Sequence, residues 1–335
     1  MVMGADTHRF QGEGEPMSDL SSLELPLVEV TEAAARACAP FIGSGQKDEG
    51  DGLAVDAMRS CINNVTMRGV VVIGEGAKDE APALYDGETV GTGTGPEIDI
   101  AVDPIEGTNL FATDMPGSIC TLAAAPAGSM YRPGACFYMD KQVYPRAARG
   151  KIDPQAPVAD RLKQLADALG KEVSELKVFV LKKPRHDQLI SEIYAAGAKV
   201  RLATDGDVNG AIQAVLNMGC DALLGIGGTP EGIVTACAAR ALGAEMFGRM
   251  APQKSHEIEA CKAEGVDTET ILTRDELVTS DDVLFIATGL TSGAYVRHVK
   301  SGRDEGGRFM TTDTVVLSGH LGNMRRIETT MHVDG

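Results

Sequence analysis

Carboxylates recur in this sequence at one kind of place, directly after a short apolar run and inside a glycine-bearing turn. Glu75 stands between Gly74 and Gly76 after Val70-Val71-Val72-Ile73, with Asp79 and Glu80 close behind. Asp103 and Glu106 bracket Pro104-Ile105 after the run Ile98 to Val102, and Gly107-Thr108 comes next. Asp205 and Asp207 flank Gly206, and Glu231 follows Gly227-Gly228-Thr229-Pro230. Asp51 closes a loop from Gly43 to Gly52 at the mouth of a helix. Any one of these alone could be a helix cap or a turn residue. The pair Asp103 and Glu106 is harder to explain so, because capping uses one carboxylate and solubility needs neither. Such a set suits hard divalent cations, Mg²⁺ or Mn²⁺, which prefer carboxylate oxygen and keep water and phosphate in their shells. Two ions could polarise a phosphoryl group, supply hydroxide and stabilise the leaving oxygen. The N–H groups of Gly107 and Thr108, at a turn or helix start, could cradle that phosphate.

Other chemistries lose support. The sequence has no G-x-x-x-x-G-K-[ST], no G-x-G-x-x-G, no H-E-x-x-H and no G-x-S-x-G, and its six histidines are scattered. Its seven cysteines are odd in number and never spaced C-x-x-C, which argues against a disulfide framework and a thiolate zinc site. The formal net charge of −17 repels nucleic acid and anionic membranes, and with no Trp, six Tyr and eight Phe there are few rings for stacking bases. An anionic substrate would need local cations. No apolar run reaches the length of a membrane span, and the N-terminus lacks a signal-like apolar region, so a cytoplasmic protein is expected.

Elements must position these groups. Residues 1–16 read as a flexible polar extension. Helical spacing appears over 23–42 (Val30, Ala34, Ala37, Phe41) and again with Ala54, Met58, Cys61, Ile62 and Val65. Strands are expected at 70–73, at 98–102 stopping before Asp103-Pro104, and at 118–125 and 134–139, the last two joined without a long helix and so antiparallel. From residue 158 helix and strand alternate: helices 158–169, 186–196, 207–217 and 231–242, strands 177–182, 199–203 and 221–226. That rhythm predicts a sheet covered on both faces. Strand 283–288 and a β-rich tail follow. The expectation is an α/β protein of two sheet-and-helix halves, 17–150 and 151–335, the first holding metal and phosphate.

The run Asp103-Pro104-Ile105-Glu106-Gly107-Thr108 resembles the D-P-[IVL]-[DE]-G-T signature of the metal-dependent, lithium-sensitive phosphatases. The wider set resembles the class II fructose-1,6-bisphosphatases within them: Lys47 to Gly52, Val72 to Gly76, Asp79 to Pro82, Lys183-Pro184-Arg185-His186, Asp205-Gly206-Asp207 and Gly225 to Gly232. These motifs stand in family order over about residues 20 to 333.

The resemblance implies an αβαβα sandwich, an oligomer of identical chains, and hydrolysis of fructose 1,6-bisphosphate in sugar-phosphate metabolism with two or more Mg²⁺ or Mn²⁺ ions. It implies metal ligands Asp51, Glu75, Asp103, Glu106 and Glu231, with Lys47 beside them. Asp79 and Thr108 would position or deprotonate the attacking water, and Glu106, Gly107 and Thr108 would hold the reacting phosphate. Tyr138, Lys183, Pro184, Arg185, Asp205, Gly206, Asp207 and Gly228 would bind the sugar and its distal phosphate. Lys183 and Arg185 could instead cap a helix, and Tyr138 could be a core aromatic with Phe137 and Met139 facing away. Asp114 stands where the family usually has a glycine. Sedoheptulose 1,7-bisphosphate or an inositol phosphate is the alternative substrate, and a phosphosugar sensor without turnover is the alternative of another class.

Overall fold

The computed structural model describes residues 19–74 and 83–333. The extension 1–16 and the segment with Glu75, Asp79 and Glu80 lie outside the described residues. In chain order come α1 (Asp19–Cys38), α2 (Lys47–Ile62), β1 (Arg68–Ile73), β2 (Thr89–Val90), β3 (Glu97–Glu106), α3 (Thr108–Ala112), β4 (Ile119–Pro126) and β5 (Tyr138–Tyr144). Then follow α4 (Val158–Leu169), β6 (Lys177–Leu181), α5 (Asp187–Ala195), β7 (Lys199–Ala203), α6 (Asp207–Val215), β8 (Ala222–Gly228), α7 (Thr229–Leu242) and β9 (Glu245–Met250). The chain ends with α8 (Ser255–Glu264), β10 (Leu272–Thr273), α9 (Arg274–Leu277), β11 (Leu284–Gly289), β12 (Lys300–Asp304), β13 (Gly307–Ser318) and β14 (Asn323–His332).

Two sheets divide these strands. One has eight strands in the order β12-β13-β11-β4-β3-β1-β2, with β14 paired along β13; the other has six, β10-β9-β5-β8-β6-β7. Three apolar cores separate five layers. Leu27, Ala34, Met58 and Ile62 of α1 and α2 pack with Ile100, Leu122 and Ile286 on one face of the large sheet. Ile212 of α6 and Ile233, Val234 and Cys237 of α7 pack between the sheets, against Ala123 and Val315 on one side and Met139 and Met246 on the other. Leu162, Leu165 and Ile193 of α4 and α5 cover the far face of the small sheet with Val178, Val180 and Leu224. The layers read αβαβα, the sandwich expected. All seven cysteines are free thiols, six of them buried.

Several boundaries differ from expectation, each for a local reason. The first helix starts at Asp19 and carries Pro26 inside it, and residues 39–41 tighten to a 3₁₀ turn. The second helix begins at Lys47, inside the expected loop, so Asp51 lies in its second turn rather than at its mouth. Strand β3 does not stop at Asp103-Pro104 but runs to Glu106, its register against β4 shifting between those two acids. A proline is tolerated there because such a bulge leaves a ladder position unpaired. The strand expected at 134–139 is Tyr138–Tyr144, and it does not pair with β4: β4 lies between β3 and β11, whereas β5 lies between β8 and β9 in the other sheet. The expected division near residue 150 is therefore not where the sheets divide. The chain leaves the large sheet after Pro126 and returns to it at Leu284.

Candidate active site

Glu106 ends β3 with its side chain 2% exposed, and its Oε1 accepts the backbone N–H of Val208 at 2.5 Å. Val208 lies in the first turn of α6, which starts behind Gly206 at φ 86°. Gly107, at φ 79°, turns the chain from β3 into α3. These two turns bring the Asp205-Gly206-Asp207 loop against the signature: Asp205 Oδ2 accepts both the backbone N–H and the side-chain amide of Asn109, each at 3.2 Å. Ser118 Oγ donates to the Glu106 carbonyl at 3.0 Å and fixes the strand end.

Asp207 and Glu231 complete this cluster. Asp207 Oδ2 lies 2.5 Å from Lys141 Nζ, an ion pair without hydrogen-bond alignment, and the same ammonium donates to the Gly228 carbonyl at 2.9 Å. A Cβ on Gly227 would fall 1.8 Å from Asp207 Oδ2, and one on Gly228 would fall 1.9 Å from Glu231 Oε2, so a side chain at either position would displace a carboxylate of the cluster. Burial, reinforced by Asp207, Asp205 and Glu231, holds the Glu106 carboxyl well above the usual carboxylate range. Burial and Asp207 push Glu231 up to about 6 against the opposing Lys141 charge, and its Oε2 is buried without a hydrogen-bond partner. The cluster thus has more negative charge than the protein neutralises.

Asp51 of α2 and Asp103 of β3 form a second pair. Asp51 is raised to about 6 by burial and by Asp48. Asp51 and Asp103 both raise the buried Cys120 thiol of β4, after burial and Cys38, so the two carboxylates share its surroundings. Lys47 stands exposed one turn before Asp51, and Thr108 opens α3. Among the described residues no three acidic, histidine or cysteine groups already stand in coordinating geometry. Glu75 and Asp79, expected as ligand and water-positioning group, lie outside the described residues.

On the side of the small sheet, Arg185 donates through Nε and Nη2 to the Ile226 carbonyl (3.1 and 2.8 Å), and its guanidinium lies 5.3 Å from the Tyr138 ring centroid. Met139 is in the core and Tyr138 is half-buried on the opposite face, as strand alternation requires. Lys183 and Pro184 lead into a 3₁₀ turn, and neither Lys183 nor Arg185 caps it or the helix behind it with a side chain. His186 is buried behind them, its Nδ1 2.7 Å from the Leu181 carbonyl and its Nε2 accepting the Ile226 N–H at 2.7 Å.

Sequence reasoning missed Lys141 and Asn109. Lys141 had a readable signal, because a lysine at alternate spacing with Met139 and Val143 falls on the buried side of a strand. Asn109 had none, since its partner Asp205 is 96 residues away.

The family model described as bacterial fructose-1,6-bisphosphatase, glpX-encoded, matches residues 21–331. Fructose-1,6-bisphosphatase 1 class 2 of Escherichia coli K12 is 40% identical over 326 residues, covering 93% of this chain and 96% of that one. The class 2 enzymes of Escherichia coli O6:H1 and Shigella flexneri match to the same extent. Among solved structures, an extragenic suppressor from Pyrococcus furiosus aligns over 58% of this chain and 70% of its own at 12% identity; its TM-score of 0.30 carries no argument. With a family model spanning most of its length and relatives at this identity, the chain belongs to the class 2 bacterial fructose-1,6-bisphosphatase family.

Proposed function

We propose that the chain hydrolyses fructose 1,6-bisphosphate to fructose 6-phosphate and inorganic phosphate, with Mg²⁺ or Mn²⁺ held by Asp51, Glu75, Asp103, Glu106 and Glu231. The observation that carries this reading is the concentration of buried carboxylates at Glu106 and Glu231, one oxygen of which has no partner. Such a donor set fits a hard cation, which would offset the burial and the neighbouring Asp207 charge that raise both carboxyls. Bound there, two or more ions would polarise the phosphoryl group and lower the pKa of an attacking water.

The chain's own groups do the rest. The backbone N–H groups of Gly107 and Thr108 hold the reacting phosphate where β3 ends. The Thr108 hydroxyl and Asp79 orient the water and take its proton. Asp205, Gly206, Asp207 and Gly228 line the sugar side, their carboxylates fixed by Asn109 and Lys141. Lys183, Pro184, Arg185 and Tyr138 take the distal phosphate. Among the described residues no helix is long and apolar enough to cross a membrane, and the free thiols suit the reducing cytoplasm we assign.

Phosphate release is the test, with fructose 1,6-bisphosphate, sedoheptulose 1,7-bisphosphate and an inositol phosphate as substrates. Release from the fructose compound should stop with chelator and return with Mg²⁺ or Mn²⁺. Asp103→Ala should lower kcat and raise the metal concentration for half activity, while Asp79→Asn and Thr108→Ala should lower kcat by about 10² to 10⁴ with metal affinity kept. Near-native turnover in Asp103→Ala would sink the metal assignment, and release from no substrate would favour a sensor.

A further inference from the structure

Thr291 stands in the turn after β11, 1% exposed, and its hydroxyl uses its one donor and both of its acceptor sites. Oγ1 accepts the Gly117 N–H at 3.0 Å and the Ser118 N–H at 2.9 Å, and donates to the Met115 carbonyl at 2.8 Å. These three backbone groups precede the β4 ladder, which starts at Ile119, so a side chain has to serve them. The clamp also works in the other direction. The backbone N–H groups of Leu290 and Thr291 donate to the Ser118 carbonyl at 3.0 and 3.1 Å. A threonine 173 residues beyond Ser118 thus fixes the segment 115–118.

That segment in turn holds the Glu106-Gly107-Thr108 turn at both ends. Upstream, Ser118 Oγ donates to the Glu106 carbonyl at 3.0 Å. Downstream, the Met115 N–H donates at 2.9 Å to the carbonyl of Leu110 in α3, the helix that Thr108 opens. Gly117, at φ 113°, sets the same segment against α6, where a Cβ would fall 2.6 Å from Asn209 Nδ2. Groups behind a ligand set its orientation, and a site displaced by about 1 Å can lose about 10² in rate.

We propose that Thr291 is a positioning residue for Glu106, Gly107 and Thr108, acting through Ser118 and Met115. The proposal rests on the functional reading above, in which those three residues hold metal and phosphate.

Mn²⁺ binding without substrate, amide hydrogen exchange and turnover test it together. Thr291→Val keeps the branched shape and leaves two N–H groups and a carbonyl unpaired. The Gly117 and Ser118 amides should then exchange at least about tenfold faster, and Mn²⁺ affinity and kcat should each fall about 10- to 100-fold. Thr291→Ser restores the hydroxyl and should return all three to within about threefold of native. Thr312→Val removes another buried hydroxyl, bonded to the Thr329 carbonyl on β13, and should leave Mn²⁺ affinity native. Ser118→Ala cuts only the link to Glu106 and should weaken Mn²⁺ binding as well, which decides the matter even if Thr291→Val folds poorly. Native Mn²⁺ affinity in Thr291→Val or in Ser118→Ala overturns the proposal. So does a serine variant as impaired as the valine one, or an equal loss in Thr312→Val. A native protein that binds no Mn²⁺ fails the functional reading and takes the proposal with it. A native protein that binds Mn²⁺ no better than Thr291→Val does fails the proposal alone.

Discussion

Lys141 Nζ lies 2.5 Å from Asp207 Oδ2, and both side chains are buried beneath the loop of Gly227 and Gly228. The ammonium is placed to oppose a cluster of carboxylates, and its loss would leave Asp207 charged beside Glu106 and Glu231. Breaking a buried pair from one side costs about 3–5 kcal/mol. Lys141→Met should therefore lower the urea midpoint sharply, and Lys141→Met with Asp207→Asn should lose much less than the two single changes together. Additive losses would show that the pair is not coupled.

His186 sets a pH limit. Its Nε2 accepts the Ile226 N–H, which the protonated ring could not do, and burial lowers its pKa from the ordinary 6.5. Arg185 also lowers it, while the hydrogen bond to Leu181, Asp140 and Asp207 work the other way. A histidine kept neutral in the fold stabilises fully above 6.5, and that contribution is lost as pH falls below 6.5 towards the folded value. Urea midpoints at pH 7.5 and 5.5 should differ more in the native protein than in His186→Gln. KM should also rise towards pH 5.5, because Ile226 holds Arg185 through its carbonyl. An unchanged pH slope in the variant would move the acid lability elsewhere.

Asp114 occupies the left-handed region at φ 52°. The Met115 N–H reaches the Leu110 carbonyl and the Asp114 N–H the Phe111 carbonyl, a Schellman ending to α3 whose left-handed residue is usually glycine. Asp114→Gly should stabilise the protein by about 0.5–1 kcal/mol, net of the entropy glycine adds to the unfolded chain, and leave kcat within about twofold. Asp114→Val should destabilise it by more than about 1 kcal/mol. Thermal midpoints for the three proteins decide the matter, and a less stable glycine variant would mean that the aspartate side chain makes a needed contact.

That ending was legible as a departure from a family pattern, and its backbone cause was not. The same division holds across the molecule. Helical spacing in α1, α2, α4 and α5 was readable because each buries one stripe, whereas α6 and α7 are buried nearly all round between the sheets. The acidic turns stood out because each sets a carboxylate beside glycine after an apolar run. The passage from β4 to the other sheet was not readable, because a hairpin and a crossover of eleven residues look alike in sequence. The bulge that carries β3 through Pro104 depends on β4, and the Asn109–Asp205 tie depends on a segment nearly a hundred residues on. Local chemistry was written in local sequence; pairing across the fold was not.

If Arg185 takes the distal phosphate as proposed, its replacement should separate binding from chemistry. Its guanidinium is exposed, spends two donors on the Ile226 carbonyl and rests against Tyr138, which leaves its remaining N–H groups in a fixed plane. A pre-oriented fork of this kind suits a phosphate, with Lys183 nearby as a point charge. Neither group should feel the charge that develops at the opposite phosphate. Arg185→Ala should raise KM with kcat much less affected, the pattern of lost uniform binding. One charge-assisted hydrogen bond is worth about 1.5–3 kcal/mol, so kcat/KM should fall about 10- to 150-fold. Tyr138→Ala should move KM the same way by less, because it removes the support and keeps the charge. A slow substrate lacking the distal phosphate should barely respond to either change. If it suffers as much as the bisphosphate does, Arg185 acts at the reacting centre or in folding, and the distal assignment fails.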